Sequence, residues 1–390
     1  MKICDYSVCT GCGACANICP TQAIKMTIGL HDFIYPHINN ELCCNCGLCS
    51  ARCPANAKPI NSCNVNKVYA AWNKNKQVRA NSSSGGVFNI IAEKIISDFG
   101  VVAGAKWTNN FHPEHCLIEN KEKLFLLNGS KYVQSDTANI YSEVKDALKK
   151  GKNVLFSGTP CQNHALKSYL GKEYNNLYQI DLVCHGVPSY DMLCRHICEI
   201  KSSINKVVDI KFRYKNPYWD YCSVKIDFTD GSSYVKYTSD DSYFTLFNIG
   251  YSLRDSCRQC KYTNTYRYGD ITLGDYWGYS PNSSKMRDFQ KGISLILVNS
   301  LKGEEILDRI KGDLIIEPST LNQAIKGNRS LKMPFSPPEG EVNEFWIDYE
   351  NGMTVDELCK KYVPTPYVVP KLLWLRRLKR KYKWVIKKSE

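Results

Sequence analysis

Residues 9–20 read Cys9-Thr-Gly-Cys12-Gly-Ala-Cys15-Ala-Asn-Ile-Cys19-Pro20, and residues 43–54 repeat the pattern as Cys43-Cys-Asn-Cys46-Gly-Leu-Cys49-Ser-Ala-Arg-Cys53-Pro54. Each copy spaces three cysteines by two residues and sets a fourth three residues further on, ahead of a proline. On a tight loop those gaps turn three thiolates toward one face of a cubic iron–sulfur cluster, while the fourth aims at the opposite cluster. The reading is a first cluster on Cys9, Cys12, Cys15 and Cys53 and a second on Cys43, Cys46, Cys49 and Cys19. Gly11, Gly13 and Gly47 suit a loop that bends closely around an inorganic core. A disulfide framework would need an oxidising compartment, and zinc usually takes two separated ligand pairs. Neither accounts for three-plus-one twice over. Cys4, Cys44 and Cys63 lie outside the pattern and receive no role.

Over residues 1 to about 60 the chain resembles bacterial two-cluster ferredoxins. The remaining residues of a 390-residue chain suffice for one large domain or two modest ones. A hydrophobic content of 43% with 23% charged residues describes a soluble globular protein. The opening MKICDYSVC has no apolar signal-peptide core, and no run reaches the ~18–20 apolar residues of a membrane span. Free thiols and oxygen-sensitive clusters point to the cytoplasm. Of the net charge of +13, residues 371–390 supply +8, leaving +5 for the rest. Global charge therefore says little, and without a zinc finger, an RNA-recognition signature or a basic–aromatic ladder, no nucleic-acid partner is expected.

After a polar connector, Val68–Trp72 reads as a strand. Asn81-Ser-Ser83-Ser84-Gly85-Gly86 then leads into an apolar-periodic run, which predicts a capped helix start with exposed amides, a ready anion site. Val101–Trp107, Asn153–Phe156 and Leu177–Val183 are further predicted strands, with helices from Gln162 and Tyr190. That alternation is the grammar of a parallel α/β sheet. It puts Cys161 and Cys184 just beyond strand carboxyl ends, where ligands sit in such sheets. Period-two runs from Ile210 and Val224, with Asp230-Gly231 as a hairpin turn, predict an antiparallel insertion. Ile293–Val298 is a later buried strand.

Cys161, Cys184, Cys257 and Cys260 come from three segments, each at a loop or strand end, and two of them form a CxxC pair. Three readings stay open for this quartet: a third 4Fe–4S cluster, redox-inert packing, or a Cys161 thiol reacting beside a flavin.

The motifs Ser83-Ser84-Gly85-Gly86-Val-Phe88, Gly129-Ser130-Lys131-Tyr-Val-Gln-Ser135, Leu155-Phe-Ser-Gly-Thr159-Pro160-Cys-Gln162 and Asp181-Leu-Val-Cys-His-Gly-Val-Pro188 together resemble the family of coenzyme F-420 hydrogenase/dehydrogenase beta subunits. Arg254-Asp-Ser-Cys-Arg-Gln-Cys260 and Asp270–Gly278 extend the resemblance over roughly residues 1–300. It implies a two-cluster ferredoxin module fused to an α/β flavin domain, in a family that includes deazaflavin-oxidising subunits and ferredoxin-fed reductases. It also implies FAD near Ser83, Ser84, Gly85, Gly86, Ser130, Lys131, Thr159, Pro160 and Gln162.

The expected architecture is α/β, α+β overall: a two-cluster module at 1–62, a parallel-sheet flavin domain with an antiparallel insertion at 66–345, and a proline-containing linker with a basic helix at 346–390. The expected function is an iron–sulfur flavoprotein oxidoreductase. Electrons would run between a low-potential carrier (reduced deazaflavin or ferredoxin), the clusters, FAD and a substrate, for which an envelope-polysaccharide precursor is a candidate. The alternative is an electron-transfer and docking subunit that feeds a partner oxidoreductase. No catalytic residue is assigned. The basic, tryptophan-bearing helix in 371–390 reads either as a peripheral contact with the inner face of the membrane or as a helix docked on its own body or a partner.

Overall fold

The computed structural model describes residues 2–363 apart from 61, 217 and 282. The basic helix expected in 371–390, with its proline connector, lies outside the described residues.

The two cysteine loops flank an antiparallel hairpin of β1 (Ile24–Ile28) and β2 (Ile34–Ile38). Each loop turns into a short helix, Ala14–Ile18 or Leu48–Ala51, from a left-handed glycine: Gly13 at φ 73° and Gly47 at φ 74°. A side chain at Gly13 would also meet the body, because its Cβ would lie 2.2 Å from Thr137 Oγ1.

The body supplies β3 (Lys67–Asn73), β4 (Val101–Trp107), β5 (Pro113–Ile118), β6 (Val154–Ser157), β7 (Leu177–Leu182), β8 (Val207–Tyr214), β9 (Ser223–Phe228), β10 (Ser233–Tyr237), β11 (Ile271–Asp275), β12 (Ser294–Val298) and β13 (Leu314–Ser319). Eight of these form one sheet in the order β13-β3-β12-β11-β7-β6-β4-β5. The expected parallel sheet is present only at its centre. There β11, β7, β6 and β4 pair in parallel, whereas the remaining neighbours are antiparallel. Connection length is the physical reason. A short turn after β4 reverses the chain into β5, while a parallel return needs a crossover of about a dozen residues or more. The helices Ile140–Lys149 and Pro160–Leu170 provide such crossovers for β6 and β7.

Those two helices bury Tyr141, Val144, Ala165 and Leu166 against one sheet face. The helices Val87–Ser97 and Leu301–Ile310 bury Ile91, Ile95, Ile306 and Leu307 against the other. The expected antiparallel insertion is a three-stranded sheet, β10-β9-β8, with Gly231 at φ 81° in the turn between β9 and β10.

The expected boundary between 345 and 346 falls inside a helix, Glu339–Glu350, which is followed by a second helix, Val355–Tyr362. These residues are not a linker up to 363. Phe345, Trp346, Tyr349, Val355 and Leu358 are buried in one core with Phe212 and Ile226 of the insertion and with Phe33 and Tyr35 of the β1–β2 hairpin. Burial of that many large apolar side chains, each worth roughly 1.5–3 kcal/mol, holds the segment to the body and the body to the N-terminal module. Trp346 also stacks on His31 with ring centroids 4.1 Å apart.

Candidate functional site

A cavity of about 560 Å3 lies beyond the carboxyl ends of β6 and β7. Two chain turns build its floor. After β6, Thr159 caps the helix Pro160–Leu170 in a reciprocal capping box with Gln162, which fixes Cys161 in the first turn. After β7, the chain passes through Cys184 to Gly186, where φ is 138°. Cys257 and Cys260 reach the same wall from the short helix Asp255–Arg258 and the loop after it.

The structure thus brings Cys161, Cys184, Cys257 and Cys260 together in one wall. The charges of Cys257, Cys161 and Cys260 all act on Cys184. Burial pushes Cys257 up to about 11 and Cys260 to about 12, and raises Cys161 and Cys184 as well. Burial outweighs the guanidiniums of Arg254, Arg258 and Arg267 nearby, so the free thiols stay protonated, and iron binding would displace those protons. Soft thiolates in a set of four are the donor chemistry of an iron–sulfur cluster, so these residues fit one. Among the described residues, no three His, Cys, Asp or Glu side chains are drawn tightly enough to hold a single metal ion.

The N-terminal cysteines lie near one another in two groups. Cys12, Cys9 and Cys53 act electrostatically on Cys15, while Cys19 and Cys46 act on Cys49. Cys19, Cys43, Cys46 and Cys49 ring a small second cavity, together with Cys44. Cys161 of the body quartet acts electrostatically on Cys12. The Cys12 carbonyl accepts from the Tyr141 hydroxyl at 2.7 Å and from Thr137 Oγ1 at 3.1 Å, which ties this loop to the body.

Of the residues expected around a flavin, Ser83, Ser84, Gly86, Ser130, Lys131, Thr159, Pro160 and Gln162 line the large cavity. Gly85 lies behind it, where a Cβ would come within 2.5 Å of the Ala71 carbonyl. The serines do not cap the following helix. Its N-cap is Gly86, left-handed at φ 79° and without a side-chain bond, and Ser84 instead donates to the Ile293 carbonyl at 2.6 Å. Lys131 Nζ donates to the carbonyls of Asn128 (3.1 Å) and Gly129 (3.3 Å). Among the described residues no carboxylate pairs with it, and burial, only partly offset by Cys116 and Asp209, lowers it to about 8.

Sequence reasoning missed several wall residues. His115, on β5, is 4% exposed, and its ring nitrogens make no hydrogen bond of good geometry, their polar neighbours being backbone groups of Asp136 and Ser157. Burial takes it to about 4, so the ring is neutral near pH 7. Arg213 Nε is likewise buried without a partner, although Nη2 meets Asp275 at 3.1 Å. Buried polar atoms are almost always satisfied, so these orphans in a cavity wall suit a ligand with polar edges. A flavin ring system has such edges, and the residues present fit it. Cys4, given no role from sequence, lies beside Cys53 and Cys9, and their proximity together with burial keeps its thiol protonated well above the usual range. No spacing rule announces a lone His on a strand or a Cys outside the repeat.

Residues 151–324 match the family described as coenzyme F420 hydrogenase/dehydrogenase, C terminus of the beta subunit, and residues 8–57 match the 4Fe-4S dicluster domain. The chain is 25% identical over 332 residues to the F subunit of the F(420)H(2) dehydrogenase of Methanosarcina mazei, covering 81% of this chain and 86% of that protein. It is also 25% identical over 351 residues to an uncharacterized protein of Methanocaldococcus jannaschii, covering 79% of this chain and 88% of that one. One polypeptide of the F420-reducing nickel–iron hydrogenase complex from Methanosarcina barkeri aligns with a TM-score of 0.46 and 16% identity, over 77% of this chain and 94% of that polypeptide.

Proposed function

The chain joins a 4Fe-4S dicluster domain to the C-terminal domain typical of coenzyme F420 hydrogenase/dehydrogenase beta subunits, and from that premise we propose that it is an iron–sulfur flavoprotein oxidoreductase. In this reading electrons pass between a low-potential carrier, reduced deazaflavin or ferredoxin, and a flavin cavity in the body domain. The route runs through the Cys19/Cys43/Cys46/Cys49 set, the Cys9/Cys12/Cys15/Cys53 set and a third cluster on Cys161, Cys184, Cys257 and Cys260.

The observation that carries the proposal is the convergence of the body quartet on a cavity also lined by Ser83, Ser130 and Lys131, with Cys12 near enough for Cys161 to act on it electrostatically. A flavin, when bound, supplies exchange between two-electron and one-electron chemistry. The chain's own residues would do the rest. Lys131 offers a half-buried ammonium to an anionic or electron-rich part of the ligand. Ser83 and Ser130 hold two wall segments together, and His115 and Arg213 offer unused hydrogen-bonding atoms to polar edges.

The name of the Methanosarcina mazei relative favours a second reading, in which the chain is a subunit that hands electrons to a partner oxidoreductase. An envelope-polysaccharide precursor as substrate is not carried further, because its support lies in 371–390. Among the described residues no helix is long and apolar enough to cross a membrane.

Anaerobic purification followed by iron, sulfide and flavin determination tests the proposal. About eight irons per chain are expected from the dicluster domain alone and about twelve with the third cluster. Reduction by one small-molecule donor without another protein supports the first reading, and reduction only with a partner protein supports the second. Protein with fewer than about eight irons, or with no flavin released on denaturation, contradicts it.

A further inference from the structure

Arg254 is 0% exposed and is the largest fully buried side chain among the described residues. Its Nε donates to the Cys9 carbonyl at 2.7 Å and its Nη1 to Gln134 Oε1 at 3.2 Å, while Nη2 is buried with no partner. No described carboxylate pairs with it, for the adjacent Asp255 is taken by Arg258 at 2.5 Å. The guanidinium instead lies 4.0 Å from the centroid of the Tyr35 ring. Gly11 makes room for this approach, since a Cβ there would stand 3.1 Å from Arg254 Nη1.

A guanidinium does not lose its proton in a protein, so a full positive charge sits here in low dielectric without a counter-ion. Such charges are normally paired. The groups that do face Arg254 are thiols of two different sets. Its charge acts on Cys9 of the first set, and on Cys161 and Cys257 of the body quartet. Its backbone is equally committed: the N–H donates to the Val187 carbonyl at 3.0 Å, and its carbonyl accepts from Cys257 N–H at 2.8 Å. One residue therefore spans the gap between the N-terminal module and the body quartet.

We propose that Arg254 is the resident counter-charge of the electron path between the Cys9 cluster and the body quartet, making both easier to reduce. This rests on the iron–sulfur reading of those two cysteine sets. Each one-electron reduction adds a negative charge to a cluster and breaks no bond. A fixed cation beside the cluster favours that added charge, and exclusion of water strengthens the attraction. Arg254 acts as a positioning residue for charge, touching the ligand loops rather than any reacting atom.

The test is a dithionite redox titration of the anaerobic holoprotein, followed by electron paramagnetic resonance, for wild type, Arg254→Lys, Arg254→Gln and Arg254→Met. Iron and sulfide are counted in each. In the Gln and Met variants the reduced-to-oxidised ratio of the nearby clusters should fall about tenfold at the wild-type midpoint, a shift of about 59 mV to more negative potential for one electron. The Lys variant should stay nearer wild type, and the signal of the Cys19/Cys43/Cys46/Cys49 cluster should not move. Gln and Met variants with full iron that titrate at the wild-type potential would overturn the proposal. Iron loss from the Gln and Met variants but not from Lys supports it, because charge is then required for assembly. Equal iron loss from all three makes Arg254 a strut and overturns it. Failure of the underlying reading is separately visible as wild-type protein without the expected iron.

Discussion

Ser83 Oγ accepts two hydrogen bonds from one residue, the backbone N–H of Ser130 at 2.7 Å and its hydroxyl at 3.0 Å. These bonds join the turn after the helix Lys76–Asn81 to the turn that carries Lys131, so two stretches far apart in sequence line the large cavity together. Ser83→Ala leaves the Ser130 N–H without an acceptor. The expected cost is about 1 kcal/mol, and flavin should dissociate more readily. Thermal unfolding and the flavin content of protein passed through a desalting column check both effects.

Lys131 gives a pH dependence of defined sign. Burial lowers it from 10.5 to about 8 in the folded chain. Between about pH 8 and 10.5 the unfolded chain therefore holds a proton that the folded chain has released, so this residue's contribution to stability rises with pH in that window. Lys131→Met should unfold at a higher temperature than wild type at pH 7 when no flavin is bound, and the gap should close by pH 10.5. Flavin affinity should move the other way, weakening in wild type as pH rises through about 8 and lower at every pH in the variant. A gap that does not change with pH contradicts this account of the ammonium.

His115→Phe keeps the ring stacked over Phe156, whose centroid is 5.8 Å away, and removes both nitrogens. The fold should be unaffected or slightly stabilised, because unpaired buried polar atoms are lost. Flavin affinity should fall by about 1 kcal/mol, roughly fivefold. Equilibrium flavin fluorescence quenching measures it, and an unchanged affinity removes His115 from the ligand's surroundings.

Replacing one of the body quartet separates the cluster reading of those cysteines from the other two. Cys184→Ala should lower the iron count from about twelve to about eight per chain, with the signals of the N-terminal clusters kept. Cys198→Ser, at an exposed position on the helix Tyr190–Lys201, should change nothing. Equal iron in all three proteins would leave the quartet as packing or as a thiol site.

Trp346→Ala removes a buried indole that packs on His31 and lies in the core shared with Phe33. Loss of about 3–5 kcal/mol is expected. Limited proteolysis should then cut near the N-terminal module at enzyme concentrations that leave wild type intact.

The cysteine repeat is legible because cluster geometry permits few spacings, and the glycines beside it take the left-handed turns that it requires. Strand β4 is also plain in the sequence, since Val101–Trp107 is a largely apolar run between clear breaks, buried over Val101–Gly104. The antiparallel margins of the sheet are not. β5 begins at a proline and contains His and Glu, and β13 ends in Glu-Pro-Ser, so neither shows the apolar run of a central strand. The helix at 339–350 is hidden for a related reason. It mixes Glu and Asp with aromatics, and only contact with the insertion and the β1–β2 hairpin makes Phe345 and Trp346 core residues. The quartet is visible as four suggestive positions, but its meeting point depends on the order of β6, β7 and β11 in the sheet. His115 and Arg254 become notable only through the partners they lack, which no linear pattern contains.

The common core of Phe33, Tyr35 and the helix Glu339–Glu350 has a kinetic meaning. A ferredoxin on a slack tether would have to swing and collide before each transfer, and thicker solvent would slow it. Here the lengths of the internal hops are set when the chain folds, so turnover inside the protein should ignore viscosity and only the arrival of the outside donor should feel it.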